Sequence, residues 1–204
     1  MTMRGLARTT GRAPANFYNY FSSKADLLFA LQRSAFQNLN STAERALEGA
    51  ENPIARLYAF VLNHVRYVAE HRAIVRVLVH EASALPASRR RAVRMLKERY
   101  FQAAKEIIAS ILSLGANNPK SRGAVALDEV EVECVTYSVF GMLNWSYVWY
   151  NPRRHGTPQD VARTILSIAL YGLVAHCPYR MVSEDMEYLM GSENTVRQPS
   201  QKIG

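Results

Sequence analysis

The sequence predicts an all-α protein, and three observations lead to that prediction. Helical periodicity recurs along most of the chain, whereas strand-like alternation persists nowhere. Helix starts are marked by capping residues, as at Asn52-Pro53, and helix ends by glycine or proline, as at Gly115 and Cys177-Pro178. The expected architecture is a small N-terminal helical unit followed by a larger helical body.

The N-terminal unit contains two short helices and the start of a long one. Helices are predicted near 3–9 and 14–21, where Thr10-Gly11-Arg12 breaks the first and Pro14 begins the second. A third helix is predicted over 24–48, since Ser23 and Asp26 have capping-box spacing. Two short helices joined by a glycine-containing bend form the pattern of a helix-turn-helix motif.

The body contains five further predicted helices, near 53–69, 72–84, 88–114, 128–150 and 158–176. Asn52 caps the first of them, which carries an apolar stripe at helical spacing: Ile54, Leu57, Tyr58, Val61, Val65 and Val68. Asp128 with Glu131 and Thr157 with Asp160 form capping boxes for the last two. Residues 115–126 are predicted to form a long loop, and the polar segment from 191 onward to be disordered.

The charge of the chain favours a polyanionic partner. The 204 residues carry a formal net charge of +8, and 49% of them are hydrophobic, which is enough for a substantial core. The first 33 residues contain five cations (Arg4, Arg8, Arg12, Lys24 and Arg33) and one anion, Asp26, which gives +4. Nucleic acid or an anionic membrane is the class of partner that this charge indicates.

Other features bound the function. Cys134 and Cys177 lack CxxC spacing and are expected to be reduced core thiols. No signal peptide is visible, and the longest apolar stretches fall short of the ~20 residues of a membrane span, so a cytoplasmic protein is expected. The histidines show no metal-ligand spacing and are expected at the surface or the edge of the core. No catalytic residue, metal site or cofactor is predicted, and the chain is not expected to be an enzyme.

The stretch TMRGLARTTGRAPANFYNYFSSKADLL, residues 2–28, closely resembles the helix-turn-helix of TetR-family transcriptional regulators. The glycine, the Tyr-x-x-Phe step and the following Ser-Lys-x-Asp-Leu are in register. The resemblance implies phosphate contacts from Thr2, Tyr18 and Lys24. It also implies that Arg4, Pro14, Ala15, Asn16 and Tyr20 face the DNA groove, while Leu6, Ala7, Phe17 and Phe21 form a small core.

The sequence departs from the family pattern in three ways. An amphipathic helix normally precedes the motif and is missing before Met1, so the unit is expected to be truncated. Arg12 stands where the family usually has a buried valine, and Ala13 where a capping serine is common. A late start codon, a shortened chain and a genuine loss of DNA binding each account for the missing helix.

TetR-family bodies dimerise through their last two long helices, a role that the resemblance gives to 128–150 and 158–176. Small residues on these helices would allow a close approach: Ser138, Gly141, Ala162, Ala169 and Gly172. Packing within one subunit explains small residues nearly as well. A homodimer is also expected from DNA recognition, because paired half-sites require two-fold symmetry.

The segment FGMLNWSYVWYNP, residues 140–152, looks like the C-terminal signature of TetR-family repressors of fatty-acid and steroid catabolism. For that branch the implied effector is an acyl-CoA that releases the repressor from its operator. Met142, Trp145 and Trp149 are candidates to line an apolar channel, and Asn144 to hold a carbonyl group. Ordinary core packing is the alternative for these side chains.

The segment SRRRAVRMLKER, residues 88–99, places Arg90, Arg94 and Lys97 along one helix face, with Arg89 and Arg91 nearby. Arginine binds phosphate bidentately, so Arg90 and Arg94 are candidates for the CoA phosphates. A solvated basic face is the alternative. Arg153 and Arg154 form another candidate pair for the same anion.

The sequence therefore predicts a homodimeric, ligand-responsive transcriptional regulator that binds double-stranded operator DNA, with no membrane partner. Its expected units are a DNA-binding unit over 1–45, a ligand-binding and dimerisation body over 46–180, and an extension over 181–204. The alternative is a helical ligand-binding or interaction protein whose DNA-binding head is non-functional.

Overall fold

The computed structural model describes residues 21–80, 85–116 and 129–176, with side chains described up to 114 in the second range and 170 in the third. These ranges contain helices and connecting turns but no strand, which confirms the all-α prediction. The helices are α1 (Lys24–Glu48), α2 (Pro53–Glu70), α3 (Arg72–His80), α4 (Ala87–Ala116), α5 (Glu129–Trp149), α6 (Pro152–His155) and α7 (Pro158–His176). Helix α6 has no counterpart among the helices that the sequence predicts.

Three of the predicted caps form as expected. The Ser23 hydroxyl accepts from the Asp26 amide at 3.1 Å, and the Asn52 side chain accepts from the Ala55 amide at 2.7 Å. Thr157 and Asp160 form a reciprocal box, since each backbone amide donates to the other residue's side chain, at 2.8 and 3.3 Å. These bonds satisfy amides that a helix start leaves without an internal partner, and so they fix where α1, α2 and α7 begin.

The main core is organised around α2, which packs against α1, α4, α5 and α7. Leu57, Phe60 and Val61 are inaccessible to solvent, as the predicted apolar stripe requires. Ala162 and Ala169 are also buried in this core, so here the small residues pack within one subunit. Residues 45 and 46, the predicted boundary between units, lie within the continuous helix α1.

A second, smaller core joins α1, α3, the segment leading into α4 and α4 itself. It consists of Leu28, Val77, Leu85 and Val93, with Phe29 and Phe36 partly buried against it. This cluster lies next to the start of α1, the first helix after the predicted DNA-binding segment. No helix within the described ranges is both long and apolar enough to cross a bilayer.

Two expectations about reactive side chains are wrong. Cys134 is exposed rather than buried, because it lies about 200° around α5 from the buried position Val132. His64, expected at the surface or core edge, is buried inside the main core. Cys177 lies outside the described residues.

Candidate functional site

The predicted DNA-binding residues lie almost entirely outside the described part of the chain. This applies to Thr2, Arg4, Pro14, Ala15, Asn16, Tyr18 and Tyr20. Of that set the structure describes Lys24, which is the first residue of α1 and is partly buried. Phe21, expected in the small core of the motif, is also partly buried.

The start of α1 is tied to the start of α4. Arg89 forms an ion pair with Asp26, and its guanidinium carbon lies 5.6 Å from the centre of the Phe29 ring. Hydrogen bonds from Ser23 and then Ser22, followed by the Arg89 contact, hold the pKa of Asp26 below its usual value. Farther along, the Asn40 amide donates to the Leu96 carbonyl at 3.0 Å. Residue numbers therefore increase together along the two helices, from Asp26 and Arg89 to Asn40 and Leu96. This shows that α1 and the first turns of α4 run parallel.

An open apolar groove of about 630 Å³ lies between α5 and α7 and brings together three of the predicted ligand-binding residues. Trp145 is 60% exposed and Trp149 38% exposed, while Met142 is partly buried. Asn144 is exposed and is not among the residues that line the groove. The groove is lined mainly by Gly141, Met142, Trp145, Trp149, His155, Val161, Ile165 and Ile168.

The end of this groove is shaped by the turn that includes α6. The His155 ring meets the edge of Trp149 with centroids 5.2 Å apart, and the Tyr150 hydroxyl donates to the Gly156 carbonyl at 3.1 Å. Gly156 has a φ of +76°, and a β-carbon there would lie 2.7 Å from a carboxylate oxygen of Asp160. Hydrogen bonds from the Thr157 side chain and backbone lower the pKa of that carboxyl. The turn therefore requires glycine.

Helix α3 contacts the last turn of α5 through both of its ends. The Arg72 side chain donates to the carbonyls of Tyr147 and Val148, each at 2.6 Å. The Tyr147 hydroxyl is hydrogen-bonded to Nε2 of His80 at 3.2 Å. The last turn of α5 contains no basic residue, so Arg72 supplies the cation that stabilises a helix C-terminus. No sequence pattern indicates this contact, because its partners are 75 residues apart.

The other predicted anion-binding residues, Arg90 and Arg94, lie on a separate surface. Together with Ala87, Arg91, Met95 and Glu98 they line a shallow groove of about 710 Å³ along the start of α4. Among the described residues, this groove and the tryptophan groove have no lining residue in common. Arg153 and Arg154, in contrast, are exposed on α6, which also contributes His155 to the tryptophan groove.

A buried aromatic cluster in the main core contains His64. Nδ1 of His64 is hydrogen-bonded to the Tyr100 hydroxyl at 3.3 Å, and the rings of Phe60 and Phe140 lie against the pair. Burial lowers the pKa of His64 to about 4 and raises that of Tyr100. The imidazole is therefore neutral at pH 7. Within the described ranges no three His, Cys, Asp or Glu side chains gather in a possible metal site.

Comparisons with known proteins agree on one family and fold. The family model described as "Tetracyclin repressor-like, C-terminal domain" matches residues 50–173, more than half of the chain. The HTH-type transcriptional regulator BetI of Rhizobium meliloti (strain 1021) is 39% identical over 61 residues. That alignment covers 30% of each protein, so the chain matches less than a third of this relative's length.

Solved structures share the fold at low sequence identity. PfmR from Thermus thermophilus has a TM-score of 0.67 and 24% identity, with 84% of this chain and 88% of that one covered. KstR2 of Mycobacterium tuberculosis, a ketosteroid transcriptional regulator, has a TM-score of 0.68 at 22% identity, with 84% of each chain covered. AibR in complex with isovaleryl coenzyme A and operator DNA has a TM-score of 0.65 at 21% identity, covering 82% of this chain and 86% of that one.

Proposed function

Because the chain belongs to the TetR family of transcriptional regulators, we propose that it is a ligand-responsive repressor that binds operator DNA as a homodimer. The observation that carries this proposal is the match over residues 50–173, together with the helix-turn-helix pattern that precedes it. The family consists of regulators rather than enzymes, in agreement with the lack of a catalytic motif in the sequence.

The DNA-binding part of the proposal rests on residues 2–28 and on charge. The family-like motif, the local net charge of +4 and the overall charge of +8 favour a duplex as the partner. Thr2, Tyr18 and Lys24 are proposed to contact phosphates. Arg4, Pro14, Ala15, Asn16 and Tyr20 are proposed to face the groove.

The dimer is proposed to form through the outer faces of α5 and α7. The side chains of Trp145, Trp149 and Ile168 expose apolar surface to solvent on these faces. Association of two chains would remove this surface from water, which is favourable. At Gly141 no atom lies within 4 Å of where a β-carbon would be, so another helix has room to approach. Two-fold pairing through this face would give the two DNA-binding units the symmetry that paired half-sites require.

The effector is proposed to be an acyl-CoA. The proposal rests on the FGMLNWSYVWYNP segment and agrees with the isovaleryl coenzyme A named for AibR. Met142, Trp145 and Trp149 offer apolar surface for an acyl group, with Asn144 as the proposed carbonyl contact. Arg153 and Arg154 are better placed for the CoA phosphates than Arg90 and Arg94, because α6 adjoins the same groove. The dimer proposal and the effector proposal use the same open groove. A second copy of the chain and an acyl-CoA are therefore alternative occupants of it.

The regulator proposal is tested by binding of the 204-residue chain to duplex DNA. We expect selection from a random duplex library to enrich a palindromic site, and the affinity for that site to fall steeply with salt. Binding that shows no sequence preference and no dependence on salt would instead favour the alternative, a helical ligand-binding protein with a non-functional head.

The effector proposal is tested separately by thermal shift with palmitoyl-CoA, isovaleryl-CoA, palmitate and CoA alone. A thioester present at about 100 times its dissociation constant stabilises the folded state by about 2.7 kcal/mol and raises the melting temperature. We expect only the thioesters to do so and also to weaken operator binding. An unmoved melting temperature with every thioester would reject the acyl-CoA and leave the DNA-binding proposal intact.

A further inference from the structure

We infer that the exposed arginine face of α4, formed by Arg90, Arg91 and Arg94, is a second, sequence-independent contact for the phosphate backbone of duplex DNA. This contact lies outside the helix-turn-helix unit. The inference rests on the proposed function, since it supposes that the chain binds a duplex. It assigns to these arginines a partner different from the CoA phosphates considered from the sequence.

Arg90, Arg91 and Arg94 have no side-chain partner within the described parts of the chain, whereas neighbouring cations do. Arg89 pairs with Asp26, and Arg99 pairs with Glu44 at 2.6 Å. The Lys97 ammonium nitrogen lies 5.1 Å from the centre of the Phe36 ring, and burial lowers the pKa of Lys97. Arg90, Arg91 and Arg94 line a groove in which Glu98 is the one acidic residue among the described lining residues. Within the described ranges, no ion pair neutralises the charge of these three arginines.

The arginine face lies close to the start of α1, which follows the predicted DNA-binding motif. The Arg89–Asp26 ion pair holds the first turn of α4 against the first turn of α1. Asp26 follows the second predicted helix of the DNA-binding motif, residues 14–21, by five positions. Because α1 and the start of α4 run parallel, the arginine face lies at the end of the body from which the chain leads into the DNA-binding unit.

The dipole at the N-terminus of α4 also favours an anion beside these arginines. The first turn of α4 contains no acidic residue. It contains Arg89 and Arg90, and Arg91 follows directly. Cations are unfavourable at a helix N-terminus because the helix dipole is positive there. Asp26 offsets this for Arg89, whereas no described residue does so for the next two. A phosphate would be attracted by both the arginines and the dipole.

The described part of this surface suits a duplex better than a small anion. All described residues that line the groove lie on one face of a single helix, and Met95 is 68% exposed. A small ligand normally binds in a cavity that encloses most of its surface. A DNA backbone, in contrast, is contacted from one side by exposed arginines, without readout of bases.

The test compares two double variants of the full chain that carry the same change of charge. Arg90→Gln with Arg94→Gln removes two arginines of the face, whereas Arg45→Gln with Arg56→Gln removes one arginine near the end of α1 and one in the first turn of α2. In a helix of this length Arg45 lies roughly 30 Å from Lys24. Each variant lowers the formal charge from +8 to +6. The measurement is the affinity for a random-sequence duplex of about 30 base pairs between about 50 and 200 mM salt, with melting curves to check folding.

We expect R90Q/R94Q to weaken duplex binding roughly ten-fold and to reduce the slope of log affinity against log salt by about 2, one per lost phosphate contact. R45Q/R56Q should leave the slope unchanged. If the two variants had the same duplex affinity and the same salt slope while the parent chain bound normally, this inference would be overturned. The proposed DNA-binding function would remain. Absence of duplex binding by the parent chain would reject the proposed DNA-binding function and this inference with it. Loss of a palmitoyl-CoA thermal shift in R90Q/R94Q, with duplex affinity retained, would identify a small-anion site instead.

Discussion

The Arg72 side chain donates a hydrogen bond of 2.6 Å to the backbone carbonyl of Tyr147, which connects the first residue of α3 to the last turn of α5. A second bond from the same guanidinium reaches the Val148 carbonyl at 2.6 Å. The carbonyls of a terminal turn lack partners within their own helix, so this arginine acts as a cap supplied by a different helix. It fixes the orientation of the turn from which Trp145 and Trp149 project.

Replacing Arg72 by Met should lower the free energy of unfolding by about 1–2 kcal/mol, since two hydrogen bonds to a charged group and its favourable interaction with the helix dipole are lost. Urea denaturation provides the measurement. Arg76→Met is the matched control, because Arg76 is exposed on the same helix and should change stability by less than about 0.5 kcal/mol. Equal losses in the two variants would contradict the capping role.

The buried His64 should make stability depend on pH. Its pKa is about 4 in the folded chain and about 6.5 when unfolded. Because the folded-state pKa is the lower one, the unfolded chain binds the proton first. Stability is therefore complete above about pH 6.5 and decreases as pH falls from there towards about 4, by at most about 3 kcal/mol.

The measurement is the free energy of unfolding between about pH 4 and 7.5. A double variant, His64→Leu with Tyr100→Phe, removes both partners of the buried hydrogen bond, so no polar atom of the pair is left unsatisfied. This variant should lose most of the dependence on the acid side of neutrality. His155→Gln, at an exposed histidine, should retain it. A parent chain with constant stability across this range would show that His64 is not buried and neutral.

Gly156→Ala should be destabilising, by about 1–3 kcal/mol, because alanine rarely adopts the backbone conformation found there. The added β-carbon would also meet the Asp160 carboxylate that caps α7. Thermal unfolding measures the loss. Gly49→Ala is the control: its φ is −93° and no atom would contact the new β-carbon, so stability should stay constant or rise by about 0.4–1 kcal/mol. A neutral Gly156→Ala would contradict the geometry of this turn.

Trp145→Ala with Trp149→Ala should convert a dimer into a monomer, because both rings expose apolar area on the proposed pairing face. Sedimentation velocity measures the mass, and far-UV circular dichroism should be unchanged, since neither ring is buried in the core. Met95→Ala removes an exposed apolar side chain from α4 and should leave the mass unchanged. A double variant that remains dimeric but loses its palmitoyl-CoA thermal shift would assign the groove to the effector instead.

The sequence by itself determined the helices and most of their ends. Local interactions decide those features: the caps at Ser23, Asn52 and Thr157 join atoms only three residues apart. The predicted 24–48 coincides with α1, and the other bounds agree to within about two residues wherever the structure describes them. Of the candidate ligand residues, Arg90, Arg94, Met142, Trp145 and Trp149 line grooves, whereas Asn144 lines neither groove.

Only the tertiary structure decided which faces of these helices meet. Helix α5 is apolar on nearly every side, so its sequence could not show that Leu143 and Tyr147 enter the core while Trp145 and Trp149 remain outside. The Arg89–Asp26 and Arg72–Tyr147 contacts join residues 63 and 75 positions apart, which no local pattern reports. Packing of whole helices against α2 brings these groups together, because the free energy of burying apolar faces, rather than any local preference, sets how helices are arranged.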